Sequence, residues 1–330
     1  MTSDTLPGCH KQLTHLRAGS TALRNSHPRL PGQLWPRGVG TCPSVANPLA
    51  AVRLPHAAAD WENAANSPAR LLLGDTSPKL VPVILNTSRL FQQLLRVFRI
   101  DTVCDVGSRD GGDAIRFRTA LPDARIVAFE PNPGNHDVMR NDQRLVQAGI
   151  EVHPVAVAES DGVAQFFVVP ADYSTSDFQR GLSSLYQRPA ERDPQTPVSV
   201  RVTRLDTFFA HRPPQMRLAL WIDVEGKACE VLEGATGILD TVHIIHVEVE
   251  TAPIIAPGQR LYADVRALLD ARGFVEIAAS RPHGIEQFNV VFIPRSLSSG
   301  LRLRVHWWVS LLGIRYLASR VKNRLVGSQQ

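Results

Sequence analysis

Hydrophobic positions first fall into a regular pattern near residue 88. Leu90, Phe91, Leu94, Leu95 and Phe98 recur at i, i+1, i+4, i+5 and i+8, the spacing of one apolar helix face, and Ser88 stands where an N-cap belongs. Short apolar runs then alternate with amphipathic stretches. The pattern predicts strands at 102–106, 125–129, 151–157, 218–224, 243–249, 275–279 and 288–293. Helices are predicted at 113–120, about 134–147, 230–239 and 262–272, the last closed by Gly273 in a left-handed position. Two further strands, 163–169 and 198–202, flank a long polar loop over 172–197 that carries Tyr173, Ser183, Ser184 and Tyr186. Such a loop at a ligand-binding rim reads as a lid or as a surface insertion. Repeated alternation of strand and helix implies an α/β fold, a mostly parallel sheet with helices on both faces.

Before residue 81 no such period exists. Nine prolines from Pro7 to Pro78 interrupt both helix and strand. Residues 1–80 therefore read as a Pro-rich flexible tail. The competing readings are a start codon placed too far upstream and an organelle transit peptide, since Asp4 is the one acid in the first 59 residues. The chain divides into this segment, a folded domain over 81–296 and a basic tail over 297–330.

Charge sharpens that division. The 330 residues carry a net +5. Residues 1–75 hold seven cations against four acids, residues 76–296 hold 23 against 27, and residues 297–330 hold six against none. The folded part is mildly acidic, which argues against a nucleic-acid partner, because grip on phosphate backbones needs a basic face. Four cysteines, Cys9, Cys42, Cys104 and Cys229, form no CxxC pair, so neither a disulfide framework nor a structural zinc site is expected, and a reducing compartment fits. No apolar run reaches membrane-spanning length, and the N-terminus lacks a continuous apolar signal core. A cytoplasmic protein is the expectation, with no metal required.

Chemistry concentrates at predicted strand ends. Residues 103–112, VCDVGSRDGG, run from a strand through a glycine turn into a helix. Gly107 and Gly111 permit a tight turn and close approach of a ligand, and the helix start beyond offers free N–H groups. The pattern D-x-G-x-x-x-G differs from the dinucleotide fingerprint and suits a cofactor whose amino-acid portion sits at the turn. The next strand ends in Phe129-Glu130-Pro131-Asn132-Pro133, and Glu130 at its tip is placed to accept ribose hydroxyls. Farther on, IDVEG (222–226) and VEVE (247–250) bring Asp223, Glu225 and Glu248 to the carboxyl ends of two more strands, where ligands of open α/β sheets bind.

Together with PVAVAESDG (154–162), RLDTF (204–208) and EVLEGA (230–235), in this order, these stretches resemble the FkbM family of S-adenosylmethionine-dependent methyltransferases over roughly residues 100–295. The resemblance implies a Rossmann-like, seven-stranded class I methyltransferase fold. It also implies methyl transfer from S-adenosyl-L-methionine to an oxygen of a sugar, glycolipid or related natural product. On that basis Asp105, Gly107, Ser108, Gly111, Glu130, Pro131, Asn132 and Asp161 are assigned to the cofactor. The chain departs from the family pattern at Ser108-Arg109, Trp221 and Lys227-Ala228, which keeps a non-catalytic cofactor-binding module as the alternative.

Methyl transfer needs an aligned acceptor and a group to take its proton. Asp223 is the first candidate, followed by Glu225, Glu248 and His246, the last two on one strand face by period 2. His246 has a suitable intrinsic pKa, against which stands a buried, hydrogen-bonded role. The tail from 301 to 326 interleaves Trp307, Trp308, Leu311, Leu312, Ile314 and Leu317 with arginine and lysine. This composition reads either as a helix at an anionic membrane surface, making the protein peripheral at the inner membrane, or as a terminal helix packed on the domain. Oligomeric state is not legible.

Overall fold

The computed structural model describes residues 83–170, 181–189, 194–282 and 286–327. The expectations for residues 1–80 and for Tyr173 lie outside the described residues. In chain order the elements are β1 (Val83–Ile84), α1 (Thr87–Val97), β2 (Thr102–Val106), α2 (Gly112–Ala120), β3 (Arg125–Phe129), α3 (Pro133–Asn141), α4 (Gln143–Gln147), β4 (Glu151–His153), β5 (Val155–Val157), β6 (Gly162–Val168), β7 (Thr196–Thr203), α5 (Leu205–Phe208), β8 (Leu218–Ile222), α6 (Ala228–Glu233), β9 (Val242–Glu250), α7 (Tyr262–Ala271), β10 (Phe274–Ala279), β11 (Gln287–Pro294) and α8 (Ser299–Gly327).

Eight strands form the main sheet in the order β1-β10-β11-β9-β8-β2-β3-β4. All neighbours are parallel except β11, which runs antiparallel to both β10 and β9. Seven strands correspond to the expected set. The eighth, β1, has two residues, too few for any periodicity to show, and lies parallel to the edge strand β10. The central strands β2 and β8 are buried at every position, which is why they read as unbroken apolar runs.

Each face of the sheet is covered. Phe91, Leu94, Phe117, Ile126, Trp221 and Val305 join α1, α2 and α8 to one face. Val231, Leu232, Leu269, Phe209 and Leu220 join α5, α6 and α7 to the other. A second sheet, β5-β7-β6, stands apart from the first.

Three predicted elements are corrected locally. The strand expected over 151–157 splits at Pro154: β4 pairs with β3, and β5 pairs with β7 in the second sheet. Proline has no N–H to continue a ladder, so the chain changes sheets there. The helix expected over 134–147 breaks at Asp142, whose backbone is extended and whose side chain accepts from Arg144 N at 2.8 Å, capping α4. Asn86, not Ser88, caps α1, accepting from Arg89 N at 2.8 Å. Gly273 closes α7 at φ +80°, as the sequence implied.

Candidate active site

The carboxyl ends of β2, β3 and β8 open into a cleft of about 360 Å³. Its floor is the glycine turn after β2. Gly107 has φ +85°, and a Cβ there would lie 1.8 Å from the carbonyl oxygen of Asp223. Only glycine lets the β2 and β8 loop backbones meet this closely. The N–H groups of Gly107 and Ser108 both donate to Phe129 O, at 3.1 and 3.0 Å, and tie the turn to β3. Gly111, at φ +76°, starts α2 against Leu145; a Cβ would meet that side chain at 2.6 Å. Asp105 is buried below the turn and accepts from the Ser108 hydroxyl at 2.6 Å. Burial pushes its carboxyl well above the ordinary range, with the Ser108 bond opposing.

Glu130 sits at the tip of β3, where the sequence placed it. Its carboxyl accepts from Arg109 N (2.7 Å), Asn132 N (2.9 Å) and Asn135 Nδ2 (3.5 Å). Those bonds fix its orientation. Burial nevertheless raises its pKa from the ordinary 4.5 to about 7.

On the opposite wall stands a carboxyl pair. The β8–β9 register sets Trp221 beside His246 and Ile222 beside Val247. Asp223 follows the last residue of β8 and lines the rim together with Glu248 of β9. The two side chains are hydrogen-bonded, and Glu248 is pushed far up, first by burial and then by the Asp223 charge. The charge of Asp223 thus favours the protonated form of Glu248. Gln287 Nε2 bonds Glu248 at 2.8 Å and steadies its outer side. Glu225, in a left-handed conformation at φ +34°, turns toward Arg188, whose Nη2 lies 2.7 Å from Oε2. Its pKa rises to about 8 because burial outweighs the arginine.

Residues 181–189 lie over the cleft beside the second sheet. Ser184 exchanges backbone bonds with Phe167 (2.8 and 3.2 Å), and its hydroxyl donates to Glu225 O at 2.8 Å. Lys227 lies over the Tyr186 ring at 4.1 Å, and both reach Glu230, at 3.2 and 3.1 Å. This part of the polar loop is thus held to the β8–α6 connection.

Of the residues named from sequence, Asp105, Gly107, Ser108, Glu130, Pro131, Asp223, Glu225 and Glu248 line the cleft. Four others do not. Gly111 shapes the turn from behind. Asn132 caps α3, accepting from Gly134 N at 3.0 Å, and reaches Ser183. Asp161 lies outside the residues that line the cleft; its carboxylate accepts from Thr203, Arg204 N and Thr207 at 3.1, 2.9 and 2.6 Å and holds the β7–α5 turn. His246 is buried, stacked on Trp221 with ring centroids 3.6 Å apart, and 3.1 Å from Thr87 Oγ1. It lies two residues deeper on the strand than Glu248, in the packing beneath α1. Sequence reasoning missed Arg188, Asn135, Lys227 and Gln287. The Arg188–Glu225 and Gln287–Glu248 pairings span tens of residues and leave no local period, while Asn135 and Lys227 meet Glu130 and Glu230 within one or two helical turns.

An acid-lined cleft floored by a glycine turn, with a buried carboxyl at the tip of β3, suits a nucleoside cofactor carrying positive charge. The turn at Gly107 and the carboxyl of Glu130 line this one cleft. These features define a class I methyltransferase. Residues 105–276 match the Methyltransferase FkbM domain. The chain belongs to this family and is a methyltransferase that uses S-adenosylmethionine.

Among similar proteins, the 2-O-methyltransferase NoeI of Sinorhizobium fredii is 26% identical over 194 residues, covering 56% of this chain and 76% of that protein. Methyltransferase 1 of Beauveria bassiana is 26% identical over 199 residues, covering 54% and 74%. The solved structure of the O-methyltransferase TomG from Streptomyces achromogenes, in complex with SAM, aligns at TM-score 0.36 and 14% identity over 63% of this chain and 79% of that one.

Proposed function

We propose that this methyltransferase acts on oxygen, methylating a hydroxyl of a sugar, glycolipid or related natural product. The observation that carries the reading is the hydrogen-bonded Asp223–Glu248 pair in the same cleft as the Gly107 turn and Glu130. An alcohol must lose its proton as it is methylated, and a carboxyl pair beside the donor site supplies a base. The 26% likeness to a 2-O-methyltransferase supports the choice of oxygen over nitrogen.

S-adenosylmethionine, when bound, supplies the methyl group as an electrophile. Glu130, Ser108 and the Gly107 turn, which line the cleft, would hold it. Asp223, with its backbone fixed against Gly107 and its side chain against Glu248, would accept the hydroxyl proton as the acceptor oxygen is methylated. Glu248 sets how readily that proton is taken, because two adjacent charges are costlier than one shared proton. Residues 181–189 shield the cleft from water. Arg188, with one guanidinium nitrogen on Glu225, orders that segment.

The test is turnover by the full chain with a panel of saccharides and glycolipids, followed by mass spectrometry of the methylated product. Asp223→Asn is expected to lower kcat by roughly 10²–10⁴-fold. Binding of S-adenosylhomocysteine should persist. Failure to methylate any hydroxyl in the panel, or an Asp223→Asn enzyme as fast as its parent, would refute the assignment.

A further inference from the structure

Among the described residues, the exposed large apolar side chains are concentrated on one element. Seven large ones occur among the described residues, and four of them, Leu303, Trp307, Ile314 and Leu317, lie on α8. They are 69%, 56%, 65% and 60% exposed. Their spacing is i, i+4, i+11 and i+14. At 100° per residue this places them in an arc of about 80°, one narrow stripe along the helix. The opposite side is accounted for: Val305, Val309 and Leu312 are buried in the core shared with α1, and Gly313 meets Val83. So α8 is anchored to the domain by one face and presents a second apolar face outward.

The charges beside the stripe have one sign. From residue 297 to 330 there is no acid and there are six cations, and the exposed Arg304 and Arg315 flank the stripe on one side. A partner that covers this face therefore offers apolar depth together with negative charge. The charge argues against a second copy of this chain, because two α8 faces would bring twelve cations together with no acid between them. No helix among the described residues is long and apolar enough to cross a membrane, so the helix lies along a surface. Tryptophan at the level of the headgroups and arginines reaching phosphates are the chemistry of that position.

We propose that α8 docks this enzyme onto an anionic lipid bilayer, with Leu303, Trp307, Ile314 and Leu317 in the headgroup–acyl boundary and Arg304 and Arg315 on lipid phosphates. The docking is independent of which hydroxyl is methylated.

Flotation of the full chain with vesicles tests it, comparing phosphatidylcholine alone with an equimolar mixture of phosphatidylcholine and phosphatidylglycerol. The parent chain is expected to float with the mixture and much less with phosphatidylcholine. The doubly substituted Trp307→Ser, Ile314→Ser chain should lose on the order of tenfold or more in partitioning. Arg304→Gln and Arg315→Gln should each cost about fivefold on the anionic vesicles. Val163→Ser, an equally exposed apolar site on β6, should bind as the parent does. All these positions are exposed, and unchanged circular dichroism and thermal midpoints will show that the variants fold. Equal flotation on both vesicle types, no flotation, or partitioning indifferent to the α8 substitutions overturns the proposal. So does light scattering that finds the parent a dimer in solution and the Trp307→Ser, Ile314→Ser chain a monomer.

Discussion

At the scale of single residues the cleft is held by close contacts that tolerate little change. A side chain at Gly107 would need both a left-handed backbone and the space of the Asp223 carbonyl, 1.8 Å away. Gly107→Val is therefore expected to abolish binding of S-adenosylhomocysteine in calorimetry. Glu130→Gln keeps the shape but sets an amide NH2 against Arg109 N or Asn132 N in place of an accepting oxygen, so it should bind the same ligand more weakly, with circular dichroism checking that the variant folds. Wild-type affinity in both variants would remove these residues from the cofactor site.

The raised carboxyls also make stability depend on pH. Unfolded glutamates ionise near 4.5, whereas Glu130 and Glu225 keep their protons in the folded chain to about 7 and about 8. The folded chain thus holds more protons in that window, and stability falls as pH rises through it. The thermal midpoint of the cofactor-free protein should drop between about pH 5 and pH 8, and Glu225→Gln should flatten the drop. The glycines and Glu130 were legible in sequence because backbone strain and a strand-tip acid leave local marks. The left-handed Arg109 and Glu225, at φ +55° and +34°, were not, since no glycine stands there to announce them.

At the scale of elements, periodicity located the strands of both sheets except the two-residue β1, but boundaries were decided by caps and prolines. Asn86 replaces Ser88 as the cap of α1 because its side chain reaches Arg89 N. Asn86→Ala should cost about 1 kcal/mol in denaturant unfolding, and Ser88→Ala much less. Pro154 offers a comparable lesson. Its apolar neighbours read as one strand, yet the missing N–H divides them between two sheets. That division places Val155, Ala156 and Val157 beside the cleft while Glu151 stays at the sheet edge, paired with Arg125. The polar loop was read as either a lid or an insertion. The contacts of Ser184 and Arg188 with Glu225 tie residues 181–189 to the cleft wall.

For the whole molecule, the strand order brings four distant stretches to one rim: the turn after β2, the tip of β3, the end of β8 and the end of β9. A ligand in the cleft touches all of them, so it should stabilise the folded sheet as a unit. S-adenosylhomocysteine at about a hundred times its Kd should raise unfolding stability by about 2.7 kcal/mol, read as a thermal shift. A shift confined to one local probe would mean that the cleft is not a joint between these strands. Charge is also organised at this scale: a folded region of net −4 holds an acid-lined cleft, and the +6 tail holds α8.

The sequence alone determined the alternation of strands and helices, the glycine turn, the acid after β3, the family and the separation of charge. Each of these is written in neighbouring residues, through side-chain period, backbone permission or composition. Only the tertiary structure decided which acids meet. The pairing of β8 with β9 brought Asp223 and Glu248 to one rim, and the return of residues 181–189 set Arg188 against Glu225. It also stacked His246 on Trp221 in the core, where a reading by intrinsic pKa had offered it as a base. Contacts of this kind depend on how strands align and loops close across tens of residues, and a local pattern carries no record of that alignment.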